Sequence, residues 1–223
     1  YRFFEASNML AYLFAALLLP IFSRMLKLNE SVYELVNFSF KTLMACALVL
    51  SIFCCFFSYD IINFRYDNYI IESANILWVL MLCFICVSST YIYGTLLTAN
   101  GNLFYLNLVA GIGVVLNVVL NLILIPKYHA FGSAVASLIT QFLTGLTQVL
   151  LCVFIFRFNL LSTFLRLLLF VLGLVLFTYY IKCLVIPFYY KFIIYSVFSC
   201  IWVLVMKLVK ISDFSILIHN RLK

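Results

Sequence analysis

An all-α integral membrane protein is the fold class this sequence predicts, and three observations predict it. The chain of 223 residues is 67% hydrophobic and 9% charged, with a mean hydropathy of +1.22, where an ordinary soluble domain is about half apolar. Its apolar residues gather into stretches long enough to cross hydrocarbon, about 20 residues each. None of them shows the short alternating pattern of a barrel strand, so each backbone must satisfy its own hydrogen bonds as a helix despite its β-branched and aromatic residues.

Seven spans follow in order: 3–23, 35–58, 74–98, 103–125, 132–156, 164–186 and 188–209. The first carries Pro20 near its end, where proline bends or ends a helix. The second begins a few residues before Lys41. Between spans two and three lies the longest loop, Ser58 to Ser73, which holds Asp60, Arg65, Asp67 and Glu72. Asn100-Gly101-Asn102 separates spans three and four, Pro126 follows span four, and Pro187 divides the last two. Seven spans leave little chain for a folded domain outside the bilayer. The first residue is Tyr1, and Tyr1 to Phe4 run into an apolar segment without a basic leader, so the sequence reads as the later part of a longer protein.

The basic residues give an orientation. Arg24, Lys27, Lys41, Arg157, Arg166, Lys207, Lys210, Arg221 and Lys223 fall on one side of the spans; Arg2, Arg65, Lys127, Lys182 and Lys191 fall on the other. The richer side predicts a cytoplasmic C-terminus, with residues 210–223 as a basic tail near anionic headgroups. The formal charge of +7 is spread among spans and not gathered into a patch, which speaks against nucleic acid as a partner.

Several chemistries lack residues. Of eight cysteines only Cys83 and Cys86 have a suggestive spacing, and they sit mid-span, which favours a reduced structural role over a redox or metal site. The two histidines are His129, in a turn, and His219, in the tail; neither forms an intramembrane His–acid pair for acyl transfer or metal hydrolysis. No phosphate-cradling glycine loop appears. The expectation is a non-enzyme without cofactor or metal.

Polar residues inside the spans are the informative ones. At about 100° per residue Asn107, Ala110, Val114, Asn117 and Asn121 share an arc of roughly 80° on span four. Span five carries Ser133, Ser137, Thr140, Thr144 and Gln148 in a matching stripe. Two readings stay open for these seams: hydrogen-bonded packing between helices, aided by the small-residue spacing of Gly132/Ala136 and Ser133/Ser137, or the lining of a wet pathway. In span one Glu5, Asn8 and Tyr12 stand on one face, with Arg2 a turn earlier. An ionisable residue in a span points to function because leaving it in lipid costs about 2.5 kcal/mol or more; the plainer reading is an Arg2–Glu5 pair at the interface. Lys41 can snorkel to the headgroups or point into a cavity.

The run from Gly94 to Ser137, GTLLTANGNLFYLNLVAGIGVVLNVVLNLILIPKYHAFGSAVAS, resembles the stretch shared by bacterial polysaccharide and O-antigen flippases of the multidrug/oligosaccharidyl-lipid/polysaccharide exporter superfamily. Asn117, Leu120, Asn121, Ile125, Pro126, Lys127 and Tyr128 match the N-x-x-L-N-x-x-L-I-P helix and the Lys-Tyr that follow it; Gly132, Ala134 and Ala136 fit the small-residue helix after the turn. Pro20, Ser23 and Arg24 match the Pro-x-x-Ser-Arg ending of an upstream helix. His129 stands where family members usually carry glycine. The likeness covers roughly residues 1–156; the last two spans match in hydropathy alone.

The resemblance implies a fourteen-helix, two-lobed transporter of which residues 1–156 supply most of the C-terminal lobe and 157–209 the terminal pair. It implies a cavity lined by Arg2, Glu5, Asn8 and Tyr12, with Arg24 and Lys41 as anion-facing cations. It places Asn107, Asn117, Asn121, Gly132, Ser133, Ala136 and Ser137 in helix packing. The implied substrate is an undecaprenyl-pyrophosphate-linked oligosaccharide crossing the inner membrane for O-antigen, capsule or exopolysaccharide assembly, with membrane lipids, a polysaccharide polymerase and other assembly proteins as partners. The alternatives are a cation-coupled drug exporter of the same superfamily, a membrane-embedded glycosyl- or acyltransferase, and a non-transporting scaffold.

Overall fold

A computed structural model describes residues 2–208; the expected basic tail, with Lys210, Arg221 and Lys223, lies outside the described residues. The helices are α1 (Arg2–Lys27), α2 (Tyr33–Phe56), α3 (Ser58–Arg65), α4 (Ile70–Ala99), α5 (Leu103–Phe156), α6 (Leu161–Cys183) and α7 (Phe188–Val205). All except α3 are long and apolar enough to cross a membrane. The protein is an all-α, multi-pass membrane protein.

Helix α5 is two limbs. As one straight rod its 54 residues would extend about 80 Å, yet the Asn117 amide reaches the Thr140 hydroxyl at 3.3 Å. The chain reverses at His129, whose φ of 51° and ψ of −132° break the helix. Residues 103–128 and 130–156 therefore form an antiparallel hairpin with a one-residue break, tighter than the gap between the expected spans. Beside the break, a Cβ on Gly132 would lie 2.5 Å from the Leu124 carbonyl oxygen; the absence of a side chain there lets the two limbs close.

The prolines end neither helix in which they lie. Pro20 is inside α1, which runs on to Lys27, and Pro126 is inside the first limb of α5. The missing N–H costs one backbone bond each time. The Ser58–Ser73 loop also differs from expectation, since Ser58–Arg65 is helical; Phe57, buried before it, links the end of α2 to α3.

Helix α4 is the hub, touching α1, α2, α3 and α5. Helix α2 packs along it and carries α6 and α7. These contacts explain why α2 is the most buried of the spanning helices. Side chains tie it to its neighbours' backbones and theirs to its own: Ser51 of α2 donates to the Met81 carbonyl of α4 at 2.7 Å, and the Tyr195 hydroxyl of α7 donates to the Val49 carbonyl of α2 at 2.8 Å. Side chain–to–carbonyl bonds of this kind give helices a directional grip that apolar contact alone lacks in lipid. Between α6 and α7, Phe177 and Phe198 stack with ring centres 3.5 Å apart, and Trp202 fits against Gly173 while donating to the Phe170 carbonyl at 3.2 Å.

Successive turns sort the charged residues to two ends. At the end marked by α3 are Arg2, Arg65, Lys127, Lys182 and Lys191; toward the opposite end are Arg24, Lys27, Lys41, Arg157, Arg166 and Lys207. Among the described residues the two sets are six and five, and most of the surplus counted in the sequence comes from Lys210, Arg221 and Lys223.

Candidate functional site

Helix α1 turns Ala11, Ala15, Leu18 and Phe22 inward against the bundle. Their i, i+4, i+7, i+11 spacing defines one face, and the expected polar residues flank it. Asn8 stands at its edge, half-buried, with a buried Oδ1 that has no hydrogen-bond partner. Tyr12 and Glu5 lie further round and are exposed. The Tyr12 ring meets Tyr91 of α4 edge-on, with centres 6.3 Å apart.

Tyr91 belongs to a polar side of α4 that its hydropathy does not reveal. Ser88, Tyr91, Thr95 and Thr98 follow one another at i, i+3, i+7 and i+10, and Tyr91 and Thr95 are half-buried while Thr98 is exposed. Within the helix Ser88, Thr95 and Thr98 donate to the carbonyls four residues back, at 2.8, 2.6 and 2.8 Å. Such back-bonding lets hydroxyls sit in an apolar segment at low cost while keeping lone pairs for another partner. The signal was available as a helical repeat of hydroxyls, but it lies inside a span whose mean hydropathy hides it.

Arg2 does not join this group. Among the described residues no ion pair links it to Glu5, so the plain pairing expected at i, i+3 is absent. About 60° of helical rotation separates the two positions, and Arg2 lines a separate cavity at the α3 end, from which Glu5, Asn8 and Tyr12 are missing. Arg24 lies about 33 Å further along α1; it is exposed, whereas Lys41 is half-buried in α2. Both have interaction partners. The candidate cations are thus split between the two ends and do not form one constellation.

The residues assigned to packing also divide. Asn117 donates to Thr140 across the hairpin, while the Asn121 amide donates to the Asn117 carbonyl at 2.9 Å and to its Oδ1 at 2.8 Å. Thr140 in turn donates to the Ala136 carbonyl at 2.8 Å. Gly132 and Ala136 are buried, and Ser133 and Ser137 are half-buried. Asn107 is exposed on the outer limb. The second limb also presses on α4: Gly145 approaches the Cys86 carbonyl, and the Cys152 thiol donates to the Tyr93 carbonyl at 3.7 Å.

Among the described residues no group of histidine, cysteine or carboxylate side chains is arranged to hold a metal. No family model and no curated protein matches the chain. The functional reading therefore rests on the residues described above.

Proposed function

We propose that the chain is the later part of a bacterial inner-membrane flippase that moves undecaprenyl-pyrophosphate-linked oligosaccharide from the cytoplasmic to the periplasmic leaflet, with its C-terminus in the cytoplasm. One observation carries the reading: Tyr12, which shares a face of α1 with Glu5 and Asn8, meets Tyr91 on the hydroxyl-bearing side of α4 within an otherwise apolar helix pair. A sugar headgroup has many hydroxyls to satisfy, and transfer through bare hydrocarbon leaves each without a partner at several kcal/mol apiece. A polar wall of hydroxyls, an amide and a carboxylate supplies those partners while the polyprenyl tail stays in lipid. Rocking of two lobes about such a wall exposes it to each side in turn.

The motif in the α5 hairpin supports the same family, and its asparagines serve the packing of the two limbs. The cation-coupled exporter receives less support. Among the described residues each Asp and Glu lies in a first helical turn or a loop: Glu5, Glu34, Asp60 and Glu72 in first turns, and Glu30 and Asp67 between helices. That reading needs a carboxylate deeper in the bilayer.

Deletion of the full-length gene tests the proposal. Lipid-linked repeat units are expected to accumulate on the cytoplasmic leaflet and surface polysaccharide to disappear, with restoration by the wild-type gene. Unchanged polysaccharide at the surface rejects it.

A further inference from the structure

At the α3 end, five helices leave a cavity of about 940 Å³ among them, open to the surrounding medium and lined mainly by apolar side chains. It lies between the starts of α1, α4 and α7, the end of α2, and α3. Phe53, Leu80 and Phe192 line its apolar part. Its charged lining is Arg2 and Arg65 alone; no carboxylate lines it. Asp60, Asp67 and Glu72, near Arg65 in sequence, are exposed and do not line it. Among the described residues neither arginine has an ion-pair partner.

We infer that this cavity binds a bilayer phospholipid with an anionic headgroup, its phosphate held by Arg2 and Arg65 and an acyl chain laid against Phe53, Leu80 and Phe192. Three features support that occupant. Both arginines are at helix termini, Arg2 at the start of α1 and Arg65 at the end of α3, which is the depth of the headgroups and not of the hydrocarbon. Guanidinium groups match phosphate oxygens in a bidentate fork, and basic pockets between transmembrane helices are an established mode of anionic-lipid recognition. The volume lies at the upper end of the range for small-molecule sites, and its opening lets a chain enter from the side. Nearby, Lys191 lies 6.0 Å from the centre of the Phe57 ring and Lys182 5.9 Å from that of Phe56, so the surrounding rim adds positive charge. The inference stands apart from the transport reading, since it uses neither the Tyr12–Tyr91 edge nor a moving lobe.

Native mass spectrometry of the full-length protein, offered equal amounts of phosphatidylglycerol and phosphatidylethanolamine, tests it. The wild type is expected to retain phosphatidylglycerol preferentially, and Arg2→Gln with Arg65→Gln to weaken that retention by at least about tenfold, the loss of charge-assisted hydrogen bonds. Arg166→Gln, an exposed cation on α6, is expected to leave it unchanged. Both arginines are exposed, so the double variant keeps the folded bundle. Equal retention of the two lipids, an equal loss in Arg166→Gln, or displacement of phosphatidylglycerol by inorganic phosphate overturns the inference.

Discussion

Asn117 and Thr140, 23 residues apart, are joined by a 3.3 Å hydrogen bond from amide to hydroxyl that links the two limbs of α5. The same threonine donates onward to Ala136, and Asn121 donates back to Asn117, so four residues form one chain of hydrogen bonds. Asn117→Leu and Thr140→Val are each expected to destabilise the hairpin, with a coupling of about 0.6 kcal/mol and no more than about 1.7 kcal/mol. A double-mutant cycle on unfolding in mixed detergent micelles measures it, and strict additivity of the two losses denies the bond an energetic role.

Gly132 permits the limbs to approach, because any Cβ there meets the Leu124 carbonyl. Gly132→Val is expected to lower stability by about 1–3 kcal/mol, the usual penalty for overpacking. Gly111, with open space around its Cβ position, provides the comparison: Gly111→Val should leave the thermal midpoint of the purified protein nearly in place.

The polar edge should be sensitive to the loss of single groups. Tyr12→Phe and Glu5→Gln are each expected to reduce polysaccharide export about fivefold if one hydrogen bond of ~1 kcal/mol to the moving headgroup is lost. Met9→Ala, on the exposed part of the same helix, should have no such effect. Quantified surface polysaccharide at matched protein levels is the readout.

Cysteine labelling can establish the orientation. Cys183 ends α6 at the α3 end and is exposed, while Cys54, Cys83 and Cys152 are buried. An impermeant maleimide should modify Cys183 in intact cells if that end is periplasmic, and leave the three buried thiols unmodified. Labelling of Cys183 only after the membrane is opened reverses the topology.

Hydropathy made the spans legible, and it did so because lipid rewards every apolar face alike. For the same reason it was silent on arrangement: nothing in the composition of α2 distinguishes a helix surrounded by protein from α5, whose first limb keeps Leu122 and Val114 largely exposed. Local chemistry lets Pro20 either bend or end its helix and sets Pro126 just past one; in the structure both lie inside helices. Helix α3 escaped notice because eight residues with mixed polarity carry too little periodicity to register. In sequence Arg65 sits among Asp60, Asp67 and Glu72, and only the fold of that segment brings it to the same cavity as Arg2.

The attachment of α6 and α7 chiefly through α2 has a practical outcome for anyone dissecting the protein. In water, stripping two helices from a core leaves a sticky wound; in a bilayer, acyl chains dress the bared flank of α2 at little expense. What would be forfeited is a handful of directional clasps, such as Thr163 to Asn37 and Tyr195 to Val49. A chain cut after Phe156 is thus expected to keep the packing of α1, α4 and α5 while losing the α7 wall of the arginine-lined cavity.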